Sequence, residues 1–74
     1  MELSKLKIGE SGKVISIKTD LGVKNRLAVM GLTEGVTVTL IRRAPFLDPI
    51  EIKLRGFYLA LRIKDANKIQ VEKF

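Results

Sequence analysis

Residues able to do covalent or acid–base chemistry are few in this chain, and their spacing brings none of them together. It holds no histidine and no cysteine, which excludes an imidazole or thiolate nucleophile, a thiolate zinc site and a disulfide. The hydroxyls, from Ser4 to Thr39, therefore have no imidazole to activate them. The carboxylates Glu2, Glu10, Asp20, Glu34, Asp48, Glu51, Asp65 and Glu72 are dispersed, most of them at turns or on outward strand positions. A hard cation gathers several oxygen ligands, and nothing in this spacing gathers them. A glycine-rich phosphate loop of the GxxxxGK[ST] kind does not occur. The expected set of catalytic residues, metal ligands and cofactors is accordingly none, and the chain reads as a binding module rather than an enzyme.

What remains is charge and a few apolar residues in turns. Lys and Arg number 14 against 8 Asp and Glu, a formal charge of +6, which permits attraction to nucleic acid, anionic lipid or an acidic protein face. Lys5, Lys7, Lys13, Lys18 and Lys24 are scattered rather than bunched, as solubilising surface residues are. Single-stranded nucleic acid stacks its bases on exposed aromatics along a basic groove. Only Tyr58 is placed for that, with Arg62, Arg55 and Lys53 near it, since Phe57 is expected in the core. A small barrel binding single-stranded nucleic acid is thus the alternative reading, and stable binding of that kind is not expected. A groove for proline-rich peptide is a weaker third reading with one Tyr and no Trp. The loop Pro45-Phe46-Leu47-Asp48-Pro49 has two readings. Phe46 and Leu47 at a stiff tip form an apolar anchor for a partner, or the loop folds over an open end of the fold. Asp48 is expected to hydrogen-bond its own backbone ahead of Pro49. Arg26 and Lys24 fall off the apolar face of their helix, either solvated or set against an acidic partner.

These residues must be positioned by short elements. Asn25 to Arg43 changes period midway. Val23, Leu27 and Met30 are spaced for one face of a helix from about Val23 to Met30, and Gly31 falls where a left-handed helix end needs no Cβ. Gly22 is expected to prevent an earlier start, and Asp20 to cap the first turn. From Gly35, Val36, Val38 and Leu40 alternate with Thr37, Thr39 and Ile41 as in a strand. Upstream, Leu3, Leu6 and Ile8 alternate weakly, with Ser4 as the cap of a single turn. In Lys13–Lys18, Ile15 and Ile17 are expected on one face and Val14 on the other. Downstream, Ile50, Ile52 and Leu54 point inward, one glycine marks a bulge, bend or tight hairpin before Phe57, Leu59 and Leu61, and Ile69–Glu72 is a last short strand. Lys64–Asn67 reads as one helical turn. The total is about five short strands and one short helix. At 74 residues a bent sheet closing on itself leaves fewest exposed edges, so the expected fold is all-β: one domain, residues 1–74, forming a small SH3-like barrel with the helix plugging one end. No apolar run approaches the ~20 residues of a membrane span, and MELSKLKIGE lacks the apolar stretch of a signal peptide. A cytoplasmic protein is expected.

The sequence resembles the ferrous iron transport protein A (FeoA) family. The resemblance rests on Leu6 with Gly9-Glu10 and Gly12, Arg26-Leu27 followed by Met30-Gly31-Leu32, Glu34-Gly35, Ala44-Pro45 with Asp48-Pro49-Ile50, Arg55-Gly56, and Ala60-Leu61-Arg62, with Ala66, Ile69 and Val71 beyond. One departure stands out: the family loop commonly reads Pro-Leu-Gly-Asp-Pro, and Phe46-Leu47 here replaces Leu-Gly. The resemblance implies an SH3-like barrel acting as a non-catalytic cytosolic accessory of bacterial ferrous iron uptake. Its implied partner is the cytosolic domain of the large iron permease, which has GTPase activity. The residues expected to meet that partner are Arg26, Phe46, Leu47, Asp48, Arg55, Tyr58 and Arg62. An exposed edge strand and an apolar loop also favour weak self-association.

Overall fold

The computed structural model describes residues 1–74. After a 3₁₀ turn at Leu3–Lys5 come β1 (Ser11–Ile17), α1 (Leu21–Val29), β2 (Thr37–Arg43), β3 (Ile50–Leu54), β4 (Phe57–Leu61), a second short helix α2 (Ile63–Ala66) and β5 (Ile69–Lys73). The strands form one five-stranded sheet in the order β4-β3-β2-β1-β5, with every neighbouring pair antiparallel. This is the small, mostly β fold that the alternation implies. Two register shifts, between Val14 and Ser16 in β1 and between Leu40 and Arg42 in β2, bend the sheet, because an extra residue in one strand kinks it and increases its twist. Inside the bend sits one cluster of 16 buried apolar residues. Completely buried leucines such as Leu3, Leu27 and Leu40 each contribute roughly 1.5–3 kcal/mol by leaving water.

The corner between α1 and β2 forms as its glycine requires. The Gly31 N–H donates to the Ala28 carbonyl at 2.9 Å, the Leu32 N–H to the Leu27 carbonyl at 2.9 Å, and Gly31 has φ +94°. That is a Schellman end, with Leu27 and Leu32 both buried at its apolar contact. At the other end the Asp20 carboxylate accepts from the Val23 N–H at 3.0 Å. The helix starts at Leu21, two residues before the expected start. Gly22 costs about 1 kcal/mol relative to alanine in a helix, and the Asp20 cap, worth about as much, offsets it. Met30 is the C-cap rather than a helical residue and is only partly buried against the core.

Three further expectations are corrected. Ile15 is exposed while Val14 and Ile17 are both buried, since the bulge inserts Ile15 and restarts the alternation beyond it. Ser4 does not cap the 3₁₀ turn; Glu2 holds that position, Ser4 is buried, and Ile8 points to solvent. Phe57, expected in the core, is 44% exposed, because β4 lies at the edge of the sheet. The β3–β4 connection is the tight hairpin: Leu54 pairs with Phe57, and Arg55 and Gly56 turn with φ of +48° and +85°, the signature of a two-residue type I′ turn.

Candidate interaction surface

The Ala44–Pro49 loop is pinned at its neck, which is why its tip stands clear of the fold. The Ala44 N–H donates to the Pro49 carbonyl at 2.9 Å and the Leu47 N–H to the Ala44 carbonyl at 2.7 Å. Phe46 is 94% exposed and Leu47 also faces solvent, so the loop does not fold over an open end. Leu47 sits at φ +67°, at the position where the family pattern carries glycine. The turn survives that replacement, and the leucine adopts a conformation that costs L-residues roughly 1–2 kcal/mol. Asp48 does not hydrogen-bond its own backbone. Its carboxylate accepts from the Ile63 N–H at 3.0 Å, so the loop is tied to the first residue of α2.

That helix has only four residues and is held by side chains from three distant parts of the chain. Asp48 takes its first N–H. The Arg26 guanidinium donates to Asp65 Oδ2 at 3.0 Å. The Ser4 hydroxyl meets Asn67 Oδ1 just past its end. Arg26 is thus neither simply solvated nor free for a partner: its acidic counterpart lies within the chain. The Asp65 side chain is 10% exposed and that of Arg26 58%, so the aspartate depends on the contact more than the arginine does. Sequence reasoning missed Asp65 because a carboxylate in a turn signals nothing about burial, and its counterpart is 39 residues away.

The other arginines divide in the same way. Arg43 donates to the carbonyls of Ser4 at 2.7 Å and Leu6 at 2.9 Å, fastening the 3₁₀ turn to the end of β2. Arg42 pairs with Glu51 at 3.0 Å. Arg55, in the hairpin turn, and Arg62, beside α2, make no ion pair and are exposed. Tyr58 is exposed, and Lys53, its cross-strand partner, places its ammonium 5.6 Å from the ring centroid. The seven expected partner residues therefore do not form one patch. Phe46, Leu47, Asp48 and Arg62 gather around the loop and the start of α2, Arg55 and Tyr58 lie at the hairpin end of β4, and Arg26 is committed to Asp65. Between them, a cleft of about 250 Å³ is lined by Arg42, Arg43, Pro45, Pro49, Glu51 and Ala60, among others.

No three carboxylates converge anywhere in the fold. The Glu10 carboxyl is held below its ordinary range, first by the Lys73 ammonium bonding to it and then by the Lys7 N–H, at 2.8 and 2.7 Å. This contact fastens the end of β5 next to the start of β1, away from the loop. The surface offers shape, charge and backbone hydrogen bonds, which equips it to bind.

The model for the FeoA domain matches residues 1–73. The Fe(2+) transport protein A/Fe(2+) transporter FeoB fusion protein of Porphyromonas gingivalis is 32% identical over 72 residues, which is 97% of this chain and 8% of that protein. The chain thus spans less than a tenth of that relative. The solution structure of the FeoA protein from Chlorobium tepidum covers all of this chain at 36% identity and a TM-score of 0.93, and the match takes 70% of that chain. The crystal structure of Stenotrophomonas maltophilia FeoA complexed with zinc, described as a prokaryotic SH3 domain protein, matches 97% of this chain and 89% of its own at 28% identity and a TM-score of 0.82.

Proposed function

This chain belongs to the FeoA domain family, and on that premise we propose that it is a non-catalytic cytoplasmic accessory of ferrous iron uptake that docks on the cytosolic GTP-binding domain of the iron permease. The observation that carries the reading is the relative in which protein A and transporter FeoB are one polypeptide. Covalent joining keeps two modules at high effective concentration, an arrangement suited to modules that act together. No helix of this chain is long and apolar enough to cross a membrane, so the chain would meet its partner at the membrane's aqueous face.

The pinned loop supplies the contact. Phe46 and Leu47 are large, exposed and already ordered by the two hydrogen bonds at the neck, so little freedom is lost when they are buried. The +6 charge speeds encounter with an acidic face, while the apolar tip sets how long the complex lasts. The test is a titration of the permease's soluble GTP-binding domain with this protein, alongside a Phe46→Ser/Leu47→Ser variant. Saturable binding that weakens at least about tenfold in the variant is expected, a loss on the order of 1.4 kcal/mol. Absence of binding up to about 100 μM, a sensible floor for a specific contact, removes the reading.

A further inference from the structure

We infer that the open edge of β4 accepts an extended, acidic segment of a partner protein as a sixth strand of the sheet. The sheet has two edge strands, β4 and β5, and they are finished differently. At β5 the Val71 N–H donates to the Met1 carbonyl at 2.7 Å, the Met1 amino group donates to the Val71 carbonyl at 3.0 Å, and Glu2 bridges to Gln70. β4 pairs with β3 and with nothing else.

The hairpin geometry assigns the unpaired groups. In a two-residue I′ hairpin the flanking residues, here Leu54 and Phe57, exchange both backbone hydrogen bonds. Bonded and non-bonded pairs then alternate along the register, so Leu59 and Leu61 also turn their backbone groups toward β3. Tyr58 and Ala60 direct theirs outward. The side chains beside this edge are incompletely covered on both faces. Phe57 is 44% exposed and Leu59 half-buried on the inner face, while Tyr58, Ala60 and Arg62 lie exposed on the outer one. Ala60 leaves a step next to the cleft walled by Arg42, Pro45 and Pro49, room for a large side chain of the incoming strand.

Charge selects the occupant. The acidic groups nearby are engaged: Glu51 by Arg42 at 3.0 Å and Asp48 by the Ile63 N–H at 3.0 Å. Lys53, Arg55 and Arg62 make no ion pair and flank β4 at both ends. A second copy added edge to edge would set this cationic row against itself, which is unfavourable. An acidic extended segment meets it with opposite sign and gains the main-chain bonds of strand addition. The inference stands apart from docking through Phe46 and Leu47; either can fail alone.

The test is an NMR titration of the ¹⁵N-labelled protein with a blocked eight-residue peptide alternating valine with glutamate, beside its counterpart with lysine in place of every glutamate. Saturable shifts and at least about tenfold slower amide exchange at Tyr58 and Ala60 are expected with the glutamate peptide. It should bind at least about tenfold more tightly than the lysine peptide at low salt, with a narrower gap at high salt. Ala60→Pro removes an outward N–H and nothing from the β3 ladder, so it should abolish binding while leaving the rest of the spectrum in place. Should that variant not fold, Lys53→Glu/Arg62→Glu, both on exposed side chains, should reverse the preference toward the lysine peptide. Equal affinity for the two peptides, shifts confined to other elements, or an absence of saturation would overturn the inference. So would protection of the same two amides by raising protein concentration alone, since a second copy would then be the occupant.

Discussion

The two edges of the sheet solve one problem in opposite ways. An edge strand presents unpaired backbone groups and invites pairing with another chain. At β5 the fold spends its own first residues on that invitation: Met1 and Glu2 pair with Val71 and Gln70, and the burial of Leu3 and Leu6 holds them there. At β4 no segment is spent. The edge is kept short, five residues, and cations stand at its ends. Positive charge deters a like-charged copy but not an acidic strand, so the same residues that prevent self-pairing set a preference for what does pair. The lesson is that one edge is closed by structure and the other guarded by charge, and only the second can be opened by the right partner.

The strongest way to break that contrast is to unseat the closed edge. Leu3→Ala leaves a cavity in the core and is expected to cost about 2–5 kcal/mol, a large share of what a domain this small holds. A chemical denaturation midpoint measures it, and the Val71 amide should lose its protection at the same time; retention of that protection would show that the closed edge does not depend on Leu3. The connector between the edges comes next. Arg26→Ala abandons the nearly buried Asp65 carboxylate and is expected to cost about 1–3 kcal/mol. Asp65→Asn leaves only a well-solvated arginine short of a charge and should cost less than about 1 kcal/mol. Equal losses in the two variants would contradict the exposure asymmetry. The Glu10–Lys73 contact at the end of β5 adds a pH-dependent contribution. Glu10 is held below its ordinary range in the folded state by Lys73 and then Lys7, so its contribution is fully present above the unfolded glutamate value and is lost as pH falls through the lowered folded one. Thermal melts from neutral to acidic pH should show a component that disappears in Glu10→Gln. The smallest effect has the opposite sign: Leu47→Gly relieves the left-handed leucine but adds freedom to the unfolded chain, for a net gain below about 1 kcal/mol.

Much of this was legible in the chain itself. Gly31 announced the helix end because left-handed backbone is so selective, and Val36, Val38 and Leu40, with Ile50, Ile52 and Leu54, announced their buried faces because a strand's period is local. The order of short motifs also pointed to the family that the comparisons establish. Ile15 was misread because a bulge adds a residue that no two-residue period can register. Phe57 was misread because hydrophobicity does not reveal which strand will be at an edge. Within the candidate surface, Phe46 and Leu47 were legible as an apolar tip. The Arg26–Asp65 and Asp48–Ile63 contacts were not, since they arise only once the sheet has carried distant turns together.

Helix α2 is a single turn, far too short to hold itself in water. Burial of Ala66 in the core and contacts from Ser4, Arg26 and Asp48 hold it in place. Its amide protection is therefore a gauge of assembly. A weakened signal from Asp65 to Asn67 in a variant reports that the loop, the long helix or the first turn of the chain has let go of it.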